Sequence, residues 1–361
     1  MSQAVHVEKN AITNAALVDT DQGPLPQGGA RLEIESFSVT ANNVTYAVVG
    51  DGFGYWNFFP APDGHGIVPM WGHARVIKDN GSGLDIGERV YGYLPMATHL
   101  TVIPGKVSAS GFMDTAEHRQ PMSPIYNQYS RLAADPEHDP AREGERMIFG
   151  PLFKTGFLIE YFMAQENWFG AEAVILTSAS SKTAMGLASV AQQNSPGIKR
   201  IGLTSAGNVD FVKGTGMYDE VLSYDDVASL PAVPSVSVDF AGNAKLLASI
   251  HNQLGDQLKY SCLVGATHIE ERGPGGMGGD AGLPGPKPTL FFAPDHAVSL
   301  FKTLGPEEAG KRLAKAWHGF LAAVGDTVTI ERHAGLAAAR DAFVKMAGGT
   351  VDPAVGSVIE P

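Results

Sequence analysis

Thr177-Ser-Ala-Ser-Ser-Lys-Thr-Ala-Met-Gly186 lies between a hydrophobic run, Ala173 to Thr177, and an amphipathic one, Thr183 to Gln193. A strand that turns directly into a helix leaves backbone N–H groups free at the helix N-terminus, where a negative group is favoured. A dinucleotide pyrophosphate fits such a turn. The usual G-x-G-x-x-G is missing, with Ala179, Ser181 and Ala184 near the places of its glycines, although small side chains allow a similar approach. Lys182-Thr183 resembles the end of a P-loop whose glycines are absent here, which argues against nucleoside triphosphate hydrolysis. The alternative is that Ser180 to Thr183 only cap a helix.

A second hydrophobic run ends in Leu203-Thr-Ser-Ala-Gly-Asn208. An NAD site usually places Asp or Glu here to accept from the ribose 2′-OH, and a carboxylate would repel a 2′-phosphate. Thr204 and Ser205 stand there instead, so the pattern favours NADP, with Lys182 or Lys213 as the source of positive charge; both residues also suit a simple turn. Hydrolytic chemistry has little support. No G-x-S-x-G elbow occurs, and Cys262 falls inside a strand-like run, where it packs as a small apolar residue. The histidines, among them His99, His268 and His296, show no H-x-H or H-E-x-x-H spacing.

These residues need a scaffold of about two domains, since 361 residues divide at roughly 150 per domain. With 44% hydrophobic and 18% charged residues, the chain is too apolar to be disordered. A net charge of −12 with no basic cluster argues against nucleic acid. One cysteine, no basic-then-apolar leader and no run of 18 uncharged apolar residues lead us to expect a cytoplasmic protein without a spanning helix.

From Gly29 to about Val107, short alternating runs such as Ala30 to Val39, Ala74 to Lys78 and Arg89 to Leu94 are broken by Gly, Asn and Asp, the spacing of a small antiparallel β domain. Prolines 121, 124, 136 and 140 forbid a long helix in the connector that follows. Beyond it, helical spacing from Leu152 to Phe162 predicts a buried helix ending near Asn167. Strand-like runs at 173–177, 199–204, 220–223, 235–239 and 259–264 then alternate with helical ones at 183–193, 209–213 and 244–254. That series implies a parallel sheet covered by helices on both faces. Ala297 to Val324 and Leu336 to Met346 read as helices.

The order of these parts resembles the medium-chain dehydrogenase/reductase superfamily, in its zinc-free quinone oxidoreductase-like branch. The resemblance rests on Ser36-Phe-Ser-Val-Thr-Ala-Asn-Asn-Val-Thr-Tyr46, Leu84-Asp-Ile-Gly-Glu-Arg-Val-Tyr-Gly92, the 173–186 strand-turn-helix, and Val238-Asp-Phe-Ala-Gly242 followed by Leu263-Val-Gly265. More narrowly, Tyr126-Asn-Gln-Tyr129, Ser178 to Ala184 and Pro284 to Pro294 resemble the DUF2855 family. The resemblance implies an α/β fold. A GroES-like β domain of about 1–150, completed by 295–361, would join a Rossmann doubly wound parallel sheet of about 151–294, with NADPH in the cleft between them.

Carried over residue by residue, it implies that Asn43 and Tyr46 form the polar pair beside the nicotinamide and that Thr155 faces the same place. Ser180, Ser181, Lys182 and Thr183 match the pyrophosphate loop, and Thr204 and Ser205 the adenosine ribose edge. Gly265 and Ala266 match the strand end beneath the nicotinamide, and Phe291 and Phe292 the segment passing its carboxamide. The loop departs from the pattern, serines and Lys182 replacing its glycines. Zinc-dependent relatives carry G-H-E where Gly72-His73-Ala74-Arg75 stands, so the ligand arithmetic predicts a packed or hydrogen-bonded His73 and no metal.

A reductase without zinc needs another proton donor. Tyr46, Tyr55, Tyr126 and Tyr129 are the candidates, Tyr46 first and Tyr129 second, each with the alternative of being a core aromatic. Asn127 either orients substrate or holds its loop. Phe53, Trp56, Phe58 and Phe59 either wall a substrate pocket or form core. The resulting expectation is a homodimeric, NADPH-dependent reductase of an α,β-unsaturated carbonyl, quinone or aldehyde. A non-redox lyase or hydratase on the same fold, or a dinucleotide-binding sensor without turnover, stands as the alternative.

Overall fold

Alternation of apolar and polar residues builds most of the N-terminal part as antiparallel sheet. The computed structural model describes residues 2–264, 282–325, 327–349 and 351–361. The chain divides into two units, Met1–Ile148 with Thr329–Pro361, and Phe149–Val328.

In the first unit, β1 (Ser2–Glu8) and β2 (Ala11–Thr20) form a hairpin ahead of the stretch where the sequence predicts strands to begin. β3 (Ala30–Val39) leads into α1 (Ala41–Val48), a helix that the sequence pattern does not anticipate. Then come β4 (His65–Gly66), β5 (Pro69–Asp79), β6 (Arg89–Pro95), β7 (His99–Val102), β8 (Pro104–Gly105), β9 (Gly111–Asp114) and β10 (Gln128–Arg131). β3 pairs with β5 and β5 with β6, both antiparallel, bringing Trp71 opposite Tyr93 and His73 opposite Tyr91. The core against these strands contains Val5, Leu32, Phe37, Val68, Met70, Tyr93 and Leu94, each completely buried.

α2 (Glu143–Gln165) belongs to the first unit as far as Ile148 and to the second from Phe149. It starts nine residues before the predicted Leu152 and carries Pro151 inside it. The stretch Pro140–Gln165 is long and apolar enough to cross a membrane by length and composition alone, a test that a buried core helix also passes; 61% of its most apolar window is buried within the protein.

The second unit continues with β11 (Ala173–Leu176), α3 (Lys182–Asn194), β12 (Lys199–Thr204), α4 (Val209–Gly214), β13 (Glu220–Ser223), β14 (Ser235–Asp239), α5 (Ala244–Leu254), β15 (Leu258–Leu263) and β16 (Thr289–Leu290). All its strand pairs are parallel, in the order β13-β12-β11-β14-β15-β16. This is the 3-2-1-4-5-6 arrangement of a doubly wound sheet. α2 and α3 approach closely because Gly156 has no side chain: a Cβ there would lie 2.5 Å from the Leu187 backbone nitrogen.

The helix expected over 297–324 is two, α6 (Ala293–Leu304) and α7 (Pro306–Val324). Gly305 at φ 76° and Pro306 break it, since proline cannot donate to a preceding turn. Both helices lie in the second unit rather than returning with the C-terminal segment; Trp317 and Phe320 meet Phe153 with rings 5.2 Å apart. The chain re-enters the first unit as β17 (Thr329–Ala334), α8 (Leu336–Ala347) and β18 (Val355–Glu360), with β18 antiparallel to β3.

Candidate functional site

In the second unit, β11, β12 and β14 end on one side of the sheet, as parallel strands must, and their ends surround the turn over 177–181. Thr177 Oγ1 donates to Asp239 Oδ1 at 2.7 Å and accepts the Phe240 N–H at 2.9 Å. The same carboxylate accepts the N–H groups of Ala241 and Gly242, so the ends of β11 and β14 are tied together. Ser178 stands at φ 48°, a left-handed conformation that only glycine adopts without cost. Its N–H donates to Tyr224 Oη at 3.2 Å.

Ser181 is the N-cap of α3, its Oγ accepting the Ala184 N–H at 3.3 Å, so this oxygen does what the capping alternative requires. Ser180 is buried, and its Oγ accepts from Thr204 Oγ1 at 3.4 Å and from Asn208 Nδ2 at 3.2 Å. Lys182 and Thr183 open α3 half-buried, and Ser205 is exposed at the end of β12. The structure therefore groups Ser180 with Thr204 and adds Asn208 and Tyr224, which the sequence pattern does not single out. Tyr224 directly follows β13, whose end faces the same way as the ends of β11 and β12. Strand order alone could have found it.

The cofactor candidates Thr155 and Phe292 lie elsewhere in the second unit. Thr155 is half-buried on α2 and donates to the Pro151 carbonyl at 3.4 Å. Phe292 is the half-buried N-cap of α6, while Phe291 is buried with its ring stacked on His296 at 4.0 Å. Gly265 and Ala266 lie outside the described residues, as does His268.

In the first unit, Tyr46 on α1 is 5% exposed. Its oxygen accepts from Asn42 Nδ2 at 2.6 Å and from Trp71 Nε1 at 3.1 Å. Burial, and then the neighbouring Tyr55, push the phenol up, while Trp71, Asn42 and the Tyr93 hydroxyl pull it down. It is un-ionised at neutral pH and keeps a proton to give. Asn43, chosen from the sequence as its polar partner, points elsewhere. It is buried, its Oδ1 accepts the Thr40 N–H at 2.6 Å and its Nδ2 donates to the Pro69 carbonyl at 2.8 Å. The oxygen end of the amide caps α1 and the nitrogen end holds that helix on β5, which leaves the polar partnership with Tyr46 to Asn42.

Tyr129 and Asn127 lie in a sealed network. Arg119, 1% exposed, donates to Asp114 Oδ2 at 2.9 Å, Tyr129 Oη at 2.9 Å, Asn127 Oδ1 at 3.0 Å and the Tyr126 carbonyl at 2.7 Å. Tyr129 Oη donates in turn to the Tyr93 carbonyl at 2.5 Å. Its ring stacks on Phe112 and lies against Gly92, where a Cβ would come within 2.4 Å. Burial pushes this phenol up to about 12, and its proton is already committed to the backbone. Asn127 Nδ2 donates to the Arg119 carbonyl, so this amide holds its loop. Tyr46 differs from Tyr129 in that its oxygen accepts from two side-chain N–H groups, whereas the Tyr129 hydroxyl donates to a backbone carbonyl. Tyr55 and Tyr126 meet through their hydroxyls at 2.9 Å. Trp56, Phe58 and Phe59 are 4%, 1% and 3% exposed and belong to the core, with Phe53 outside it at 37%.

His73 is completely buried on β5, and neither ring nitrogen has a hydrogen-bond partner. Burial lowers it to about 3, opposed by Glu143 and supported by Arg146 and Arg89. Glu143 itself binds Arg89 at 2.7 Å and His138 at 2.9 Å. Among the described residues no group of three His, Cys, Asp or Glu side chains is placed to hold a metal ion. Cys262 is buried in β15, and burial raises its thiol far above the usual range.

Residues 37–352 match the family described as protein of unknown function, DUF2855. No curated protein matches the sequence. Among solved structures, CurA from Vibrio vulnificus in complex with NADPH is 14% identical, with a TM-score of 0.60 over 99% of this chain and 98% of that one. The quinone oxidoreductase of Pseudomonas syringae pv. Tomato DC3000 is 14% identical, with a TM-score of 0.59 over 100% of both chains. That of Coxiella burnetii is also 14% identical, with a TM-score of 0.56 over 100% of this chain and 99% of that one. The likeness is one of fold, a GroES-like domain with a Rossmann domain.

Proposed function

The chain belongs to the DUF2855 family, and we propose that it is an NADPH-dependent, zinc-independent oxidoreductase acting on an α,β-unsaturated carbonyl, a quinone or an aldehyde. The observation that carries this reading is the neutral cluster Ser180, Thr204 and Asn208 beside the 177–181 turn of a 3-2-1-4-5-6 parallel sheet. Hydroxyl and amide groups there accept a phosphorylated ribose, whereas the carboxylate of an NAD site would reject it. The left-handed Ser178 also fits, because it keeps the backbone turn that a glycine fingerprint needs without the glycine. The solved complex of CurA with NADPH has this fold.

NADPH, when bound, supplies the hydride. Ser180, Thr204, Ser205 and Asn208 hold the adenosine ribose edge, and Lys182, Thr183 and Tyr224 border the pyrophosphate. The carbonyl gains two electrons with the hydride, and the pair displaced onto its oxygen takes the proton from Tyr46 Oη. The phenolate left behind is reprotonated from solvent. The substrate is thereby reduced by two electrons, with one proton drawn from water. The single buried cysteine fits a cytoplasmic setting, and a homodimer is the assembly we expect by likeness of fold.

The test begins with fluorescence titration by NADPH and NADH, followed by turnover of the enone 4-phenyl-3-buten-2-one, whose β-carbon keeps a transferred deuterium, with stereospecifically deuterated NADPH. Tighter binding of NADPH than NADH and deuterium in the product support the reading. Binding of neither cofactor overturns it and gives the lead to a non-redox enzyme.

A further inference from the structure

We propose that Trp71 and Asn42 are positioning residues that set the strength of Tyr46 as a proton donor. This rests on the reading of Tyr46 as the donor. A phenol oxygen has two acceptor positions and one proton, and both acceptor positions of Tyr46 are filled. Trp71 Nε1 lies at 3.1 Å and Asn42 Nδ2 at 2.6 Å. An indole N–H can only donate, so the Trp71 contact fixes the direction of the bond. The Tyr46 proton is left to point away from both. When it is given up, the phenolate forms with two N–H groups already aimed at it and no reorganisation to make, the arrangement that stabilises developing negative charge most effectively.

The local sequence explains why these side chains meet. Asn42 and Tyr46 are four residues apart on α1 and so share one face. The amide of Asn43 ties that helix to the Pro69 carbonyl at 2.8 Å, two residues before Trp71 on β5. Trp71 cannot swing away freely: its ring stacks on Tyr91 at 5.9 Å and lies 5.0 Å from Tyr93. The Tyr46 ring is set between Tyr55 at 4.5 Å and Tyr93 at 5.5 Å. Without the two donors, burial among these rings would oppose any negative charge on the phenol. The donors offset part of that cost.

Two measurements on the full chain test the proposal. The first is single-turnover hydride transfer from NADPH to 1,4-naphthoquinone in Tyr46→Phe, Trp71→Phe, Asn42→Leu and the Tyr46→Phe/Trp71→Phe pair. Trp71→Phe should slow the transfer about tenfold with the NADPH Kd unchanged. The pair should be no slower than Tyr46→Phe alone, because Trp71 acts through Tyr46. Multiplicative losses, as from two independent structural defects, overturn the proposal. The second measurement needs no turnover: a trifluorotyrosine, whose free phenol ionises near neutral pH, is encoded at position 46, where burial raises its ionisation into the alkaline range, and is followed by absorbance. Trp71→Phe should move that ionisation to higher pH, and an unmoved titration overturns the proposal. Wild-type rates in Tyr46→Phe would instead remove Tyr46 from the reaction, and the inference about catalysis with it.

Discussion

Arg119 and Asp114 face each other at 2.9 Å with both side chains 1% exposed. The pair lies under Phe58, Phe59 and Tyr129, whose rings are 5.3 to 5.7 Å from the guanidinium. Removing one partner of a buried pair leaves an uncompensated charge and costs about 3–5 kcal/mol. Asp114→Ala should therefore lower stability by that order in urea unfolding. Asp114→Ala/Arg119→Met should cost less than the sum of the two single changes. Additive losses would show that the two charges do not depend on each other.

The buried His73 makes the first unit sensitive to acid. Its folded-state value is about 3 against 6.5 for the free side chain, so the unfolded chain binds this proton first. Stability is fully present above about 6.5 and falls as pH drops toward 3, by up to tenfold in the folding constant per pH unit. His73→Leu should flatten that part of the profile between pH 7 and 5, measured by urea unfolding of each protein. An unchanged slope would place the acid sensitivity elsewhere.

Ser205 is exposed at the end of β12, one residue past the Thr204 hydroxyl that reaches Ser180. A carboxylate at this place repels a ribose 2′-phosphate and accepts from a free 2′-OH. Ser205→Asp should weaken NADPH binding by about tenfold or more and leave NADH binding equal or tighter in the same fluorescence titration. Parallel losses for both cofactors would separate Ser205 from the ribose.

Gly156 is where α2 meets α3, and a Cβ added there would stand 2.5 Å from the Leu187 nitrogen, 2.9 Å from the Gly186 carbonyl carbon and 3.0 Å from the Thr183 oxygen. All three are backbone atoms and cannot rotate aside. Gly156→Ala should destabilise the second unit by roughly 1–3 kcal/mol and, by shifting the start of α3, weaken NADPH binding. Thermal unfolding at wild-type temperature would mean that the helices can separate without cost.

The sequence by itself determined the parallel sheet of the second unit. The expected bounds of β12, β13, β14 and α5 coincide with those observed, because each is a short apolar or amphipathic run closed by Gly, Asn, Asp or Pro. It also marked the turn after β11, since a serine-rich stretch between a strand and a helix has few other uses. The break between α6 and α7 is legible too, as Gly305-Pro306, within the run expected as one helix. Tertiary structure alone decided which of two adjacent asparagines meets Tyr46. One step along a helix turns a side chain by about 100°, and α1 is a short helix that pattern did not reveal. Only packing distinguished Tyr46 from Tyr129: both are buried phenols in aromatic surroundings, but an arginine eight residues from Asn127 takes up the Tyr129 oxygen, and a carbonyl on β6 takes its proton. Such partners come from strands far apart in the chain, and no spacing in the sequence encodes them.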